Sequence, residues 1–151
     1  MPGEFFTQMR TAFALQRMLA LEQQRAGVSP APALLTVREV IELATIAGAK
    51  ANQLDRKIGT LTPGKDADII MLRTNAINVL PVNNVYGAIV LGMDTSNVDS
   101  VFVAGRARKR GGRLVGVDLA RIARLAQQSR DYIVERAGWP RTTFGGYLPG
   151  H

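Results

Sequence analysis

The 151-residue chain reads as an α+β protein and not as an alternating strand-helix one. Three observations predict this. Two helical patterns precede every strand pattern, the strand patterns gather around Pro63-Gly64, Ala104-Gly105 and Gly111-Gly112, and a last helical pattern follows Asp118. At this length a single domain can bury a working core without disulfides or metals as staples.

From Glu4 to Arg25 there is no glycine or proline, and apolar residues recur at Phe5, Met9, Phe13, Leu15, Leu19 and Ala20, which predicts an amphipathic helix. The segment GVSPAPA (Gly27 to Ala33) breaks it, because each proline lacks an amide donor and biases its predecessor toward extended geometry. A second helix is expected from Thr36, whose hydroxyl can cap while Glu39 reaches back as the other half of a capping box. Val37, Val40, Ile41, Ala44 and Ala47 then share one face.

Pro63-Gly64 suits the central positions of a type II turn and should reverse the chain between a short strand near Ile58 to Leu61 and a longer one near Ala67 to Leu72. The run NNVYGAIVLGM (Asn83 to Met93) fits a buried strand as well as a short helix capped by asparagine, and periodicity does not decide between them. VDSVFVAGRARKRGGRLV alternates, with turn pairs at Ala104-Gly105 and Gly111-Gly112, and predicts a hairpin or small meander. Asp118 should cap a last helix, with Leu119, Ile122, Leu125, Ala126 and Ile133 on its apolar side and Gly138 at its end. No internal repeat or low-complexity segment is present.

Cysteine is absent, which excludes disulfides, thiolate metal sites and a cysteine nucleophile. Glu4 and Arg10 stand where a signal peptide needs an unbroken apolar run. The longest uncharged run, Thr74 to Met93, is interrupted by Pro81 and by Asn75, Asn78, Asn83 and Asn84, so the chain reads as soluble and cytoplasmic, without a membrane partner. The net charge of +7 is uneven: residues 1–104 carry nine basic and nine acidic side chains, residues 105–151 ten basic and three acidic. The excess lies in RARKRGGR (Arg106 to Arg113) and the helix after it. No aromatic residue interleaves these bases, so a solvated hairpin is the simpler reading and no specific nucleic-acid partner is expected.

Three stretches taken together suggest a family. LTVREVIELATIAGAKANQLD, then KIGTLTPGKDADIIMLR, then VDSVFVAGRARKRGGRLVG closely resemble the C-terminal third of the amidohydrolase superfamily, in its cytosine-deaminase-like and chlorohydrolase-like branch. The most specific part is Ile58 to Ile69, followed about thirty residues later by a strand ending in Ala104-Gly105-Arg106. A mild departure is Ala51 to Leu54, ANQL, where small residues and a leucine-glycine pair are more usual. The resemblance implies two helices from the rim of a (β/α)8 barrel and a small sheet forming half of a composite β-sandwich, and it reads NNVYGAIVLGM as a helix. It also implies zinc or iron in a full-length member, where a His-x-His pair, further histidines and a strand-ending aspartate hold the metal that activates a water.

By that resemblance residues 1–55 form the helical end of the barrel and 56–117 a partial sandwich with a short helix near 83–93. Residues 118–138 form the C-terminal helix and 139–151 a tail. The chain is expected to start just after the last metal ligand and to act as a C-terminal piece of a deaminase-like hydrolase, inactive alone. It would then self-associate or bind the missing barrel. The alternatives are one subunit of a split hydrolase and a stand-alone interaction or nucleic-acid-binding module.

No catalytic, cofactor-binding or metal-binding residue is assigned within the chain. His151 is the only histidine, far short of three or four convergent ligands. Asp66 and Asp68 flank Ala67 and would share a strand face, but aspartates at a turn ordinarily bond local amides or neighbour a lysine, here Lys65. The stretch GRARKRGGR lacks the context of a phosphate-binding loop, Met9 and Met18 read as packing, and no serine stands in a nucleophile elbow.

Overall fold

A computed structural model of the chain describes residues 4–138, so the expected tail at 139–151 and His151 lie outside the described residues. The chain divides into two units, Met1–Val115 and Gly116–His151.

The first unit opens with helix α1 (Phe5–Arg25), which ends as Gly27 takes a left-handed φ of 79°. The face that α1 buries is Phe6, Met9 and Ala20, with Phe13 packed beside them. Phe5, Leu15 and Leu19, expected on that face, are about half exposed. The donor-poor GVSPAPA segment is tied back to α1 by side chains. Gln16 donates to the Ala33 carbonyl (3.0 Å) and accepts the Leu35 amide (2.8 Å), while Arg17 donates to the Leu35 carbonyl (3.2 Å).

The capping box forms as expected. Thr36 Oγ1 accepts the Glu39 amide at 3.2 Å, and Glu39 accepts the Thr36 amide and hydroxyl, each at 2.7 Å. Helix α2 (Val37–Glu42) widens into a π segment at Leu43–Ala47 and resumes as α3 (Gly48–Ala51). Within that segment the Thr45 hydroxyl donates to the Ile41 carbonyl (2.7 Å), competing with the backbone ladder. Gly59 then passes so close that a Cβ there would lie 2.8 Å from Ala49 Cβ, and its φ of 90° also demands glycine.

No strand forms at Ile58 to Leu61, against expectation. That segment is held as a loop by its own neighbours: the Asp66 amide donates to the Lys57 carbonyl (2.8 Å), and Lys65 Nζ donates to the Ile58 carbonyl. Strand β1 (Ile69–Leu72) pairs instead with β2 (Val98–Val103). The antiparallel sheet continues through β3 (Arg106–Arg110) and β4 (Arg113–Leu114) in the order β1-β2-β3-β4. Both tight connections carry two left-handed residues, Ala104 (φ 47°) with Gly105 (75°) and Gly111 (56°) with Gly112 (77°), the signature of type I′ hairpins.

NNVYGAIVLGM is helical, not extended. Asn84 accepts the Gly87 amide (2.8 Å) to start α4 (Val85–Gly87), which widens into a π segment at Ala88–Gly92. Its buried Val90, with Met93 and Val79, meets Phe6 and Met9 of α1 and Val40 of α2 in the core. In the second unit α5 (Leu119–Ala137) is capped by Asp118, which accepts the Arg121 amide (2.9 Å), and ends at left-handed Gly138. None of its residues is buried; Leu119, Ile122, Leu125 and Ile133, read as an apolar side, are all more than half exposed.

Two predictions follow from the hydrogen bonding. Asn97 is 0% exposed, and its side chain serves the Arg73 carbonyl (3.3 Å), the Asp94 amide (3.0 Å) and Asn78. Leaving buried polar groups without partners costs roughly 1–3 kcal/mol each, so Asn97→Ala is expected to lose at least about 2 kcal/mol in urea unfolding of the full chain. Asn84→Ala, which removes an exposed cap, should lose about 1 kcal/mol; equal losses would contradict the role given to Asn97.

The second concerns pH. The Thr36 backbone amide, followed by its hydroxyl, holds the Glu39 carboxyl below its ordinary pKa. A depressed folded-state pKa contributes stability above the ordinary value and loses it as pH falls through the depressed one. Protection factors of the amides in the first turn of α2, taken relative to the unstructured rate at each pH, are therefore expected to fall on acidification below the usual carboxylate range. Glu39→Gln should abolish that pH dependence; a wild-type profile in this variant would count against the box as its source.

Candidate functional site

The residues that looked most like chemistry form a clasp. In the Pro63-Gly64 turn the Lys65 amide reaches the Thr62 carbonyl (3.2 Å), and Gly64 takes a φ of 91°. Lys65 Nζ donates to the Asp55 and Ile58 carbonyls, not to Asp66 or Asp68. Asp68 Oδ1 accepts the amide of Ala104 at 2.7 Å, and the Gly105 amide donates to the Ala67 carbonyl at 3.1 Å. The bond expected to be local thus spans thirty-six residues, and it joins the two ends of the sequence signature. Ala104 holds a left-handed conformation that costs an alanine about 1–2 kcal/mol, and its amide is the one Asp68 receives.

A surface groove of about 380 Å³ lies between the 78–84 loop and the α4 region, lined by Asn78 to Asn84, Gly87, Ala88, Leu91 and Gly92. None of these side chains titrates. Asn78 is already engaged, donating to the Gly92 carbonyl (3.0 Å) and to Asn97 (2.8 Å) and accepting from Asn97 (3.2 Å), and Asn84 is the cap of α4. The reciprocal Asn78–Asn97 pair escaped the sequence reading, which took Asn78 only as an interruption of an apolar run; its signal was an asparagine retained amid apolar neighbours. Beside the groove Arg10 donates to the Met93 carbonyl at 2.9 Å. The Ser96 hydroxyl, then the Ser96 amide, with a lesser pull from Arg10, hold Asp94 below its ordinary pKa.

Among the described residues no three His, Cys, Asp or Glu side chains are grouped so as to hold a metal ion. The described residues therefore do not fit the zinc or iron that the sequence resemblance implies, which needs several converging ligands. Nor is any described helix long and apolar enough to cross a membrane.

The signature has counterparts among known proteins. The amidohydrolase family model matches residues 2–108. A 5-methylthioadenosine/S-adenosylhomocysteine deaminase of Desulforudis audaxviator is 32% identical over 128 residues, 85% of this chain and 28% of that protein. A 5′-deoxyadenosine deaminase of Methanobrevibacter smithii is 27% identical over 133 residues, 87% of this chain and 28% of its own length. Among solved structures, an adenosine deaminase from Xanthomonas campestris with bound zinc superposes with a TM-score of 0.65 at 26% identity, over 82% of this chain and 28% of that one. An atrazine chlorohydrolase from Arthrobacter aurescens TC1 complexed with zinc shares the fold, with a TM-score of 0.68 at 21% identity over 82% of this chain and 25% of its own. The chain thus spans 28% of the length of these curated relatives, and its helices and small antiparallel sheet match part of their fold. It belongs to the amidohydrolase family.

Proposed function

We propose that this chain is the C-terminal, sandwich-side portion of a metal-dependent amidohydrolase that cleaves non-peptide C–N or C–Cl bonds, and that it needs a catalytic barrel supplied by further polypeptide, in the same chain or another. In this reading α1 and the α2–α3 stretch are barrel-rim helices and the four-stranded sheet is half of a composite sandwich. One observation carries the proposal. Among the described residues only eight apolar side chains are buried, while Ile70 and Met71 on β1 and Leu15, Met18 and Leu21 on α1 are roughly half exposed or more. A body with so little interior is what a segment of a larger fold presents when its neighbours are missing.

The side chains here supply structure, and no described residue is placed to move a proton or hold a reacting group. Relatives named as deaminases of 5-methylthioadenosine and 5′-deoxyadenosine make the exocyclic amine of an adenine nucleoside the first substrate to test on an assembled enzyme, ahead of cytosine and triazines.

Two measurements test this reading. The isolated chain is expected to associate at micromolar concentration and to bind a dye that reports apolar surface, because sheet edges and apolar faces left open pair with other chains. A sharp monomer peak with little dye binding would argue against an incomplete body. The purified chain is also expected to retain no stoichiometric zinc or iron and to deaminate none of these substrates, with turnover appearing only on co-expression with a barrel portion. About one metal per chain together with chelator-sensitive turnover would sink the proposal.

A further inference from the structure

The excess positive charge has a location in the fold that the hydrolase reading leaves unused. On β3 the exposure alternates: Arg106, Arg108 and Arg110 are exposed, Ala107 and Lys109 half-buried. Arg110 stands directly opposite Arg113 across the β3–β4 ladder, and Arg113 is exposed as well. Two like charges in direct cross-strand register weaken a hairpin. Nothing in the sheet offsets them, since the ion pairs among the described residues are Arg38–Glu42, Arg73–Asp99 and Arg130–Asp131. Lys109 belongs to the other face, where its ammonium donates to the Thr95 carbonyl (3.5 Å). A ribbon carrying four unpaired guanidinium groups, two of them set against each other, is relieved when an anion sits between them.

We propose that the β3–β4 ribbon docks, without sequence preference, on the phosphate backbone of double-stranded nucleic acid. Each guanidinium presents a planar fork of donors that matches phosphate oxygens. Side chains on alternate strand residues recur about every 6.7 Å, so Arg106, Arg108 and Arg110 form a row that can follow a phosphate backbone, with Arg113 beside its end. Single strands fit less well, because no aromatic residue between Arg106 and Arg113 offers a surface for a base to stack on. A lipid surface fits less well too. Stable attachment takes an apolar insertion besides the basic patch. The ribbon's tip is Gly111-Gly112, and its one apolar strand end, Leu114, lies opposite Lys109, on the face away from the Arg110–Arg113 pair.

Binding of the full chain to a short labelled duplex, followed by fluorescence anisotropy as monovalent salt rises, tests this independently of any hydrolase activity. Four phosphate contacts give a slope of log K against log salt of about −3.6, so affinity should fall roughly 150-fold between about 50 and 200 mM. The double variant R110Q/R113Q should flatten the slope to about −1.8, a fall of only ~12-fold over the same range. R110K/R113K keeps the charges and should keep the steep slope, which separates loss of charge from loss of fold. R121Q/R124Q on α5 should leave the slope at its wild-type value. The proposal is overturned by no saturable binding at the lowest salt, by an unchanged slope in R110Q/R113Q, or by a flattened slope in R110K/R113K or R121Q/R124Q. Tighter binding to the single strand, or to phosphatidylserine vesicles than to the duplex, would overturn it equally.

Discussion

The helical half and the sheet of the first unit are joined through one buried amide. Asn97 lies where the chain returns to the sheet, and Arg73 where it leaves. Between them the chain makes the 78–84 loop, α4 and its π segment. The Arg73 amide donates to the Asn97 carbonyl (2.8 Å), and Asn97 Nδ2 returns a bond to the Arg73 carbonyl (3.3 Å), which extends the β1–β2 pairing one step past its last regular residue. The same side chain pairs reciprocally with Asn78 and accepts the Asp94 amide. A primary amide is suited to this place because it offers donors and an acceptor from one planar group, and a buried group left half-satisfied would cost more than an apolar side chain. Val79, Val90 and Met93, the apolar contribution of this excursion to the core, are positioned by both of its ends.

How much of this was legible in the sequence depended on how far the deciding partner lay along the chain. The Thr36–Glu39 box, the Asp118 cap, the Pro63-Gly64 turn and the two I′ turns need only residues within a few positions, and each was readable from residue type. The face that α1 buries was read in part: Met9, Phe13 and Ala20 lie on it, but Phe6 takes the place expected of Phe5, Leu15 and Leu19, and the packing of α2 and of the segment around Val90 decides among them. The strand expected at Ile58 to Leu61 failed for the same kind of reason: a strand needs a partner edge, and here Lys65 takes the Ile58 carbonyl instead. In NNVYGAIVLGM the balance went to the helix through Asn84, whose side chain satisfies an amide that a strand would have left for a neighbour.

The interior is thin for the length of ordered chain. Helix α1 buries three of its twenty-one residues, and α5 buries none. Most helical stability in proteins comes from packing of the apolar face. The helical geometry is therefore strongly specified by pattern and caps while the stabilising contacts are few. That combination supports the proposal of a segment with neighbours outside it, as does a match that covers 82% of this chain and 28% of the zinc-bound deaminase from Xanthomonas campestris.

The signature that places the chain in its family does its physical work in backbone hydrogen bonds. Lys65 anchors the 55–58 turn through two carbonyls, and Asp68 receives the amide of an alanine held at positive φ. Replacing Lys65 would release two half-buried carbonyls, and replacing Asp68 would leave the Ala104 amide to water, so the residue types answer to the loop and hairpin themselves. A pattern fixed by backbone satisfaction identifies the architecture wherever that loop and hairpin occur, with or without the ligands that make the architecture an enzyme. Family membership and catalytic competence are thus separate inferences, and only the second requires side chains that converge on a substrate.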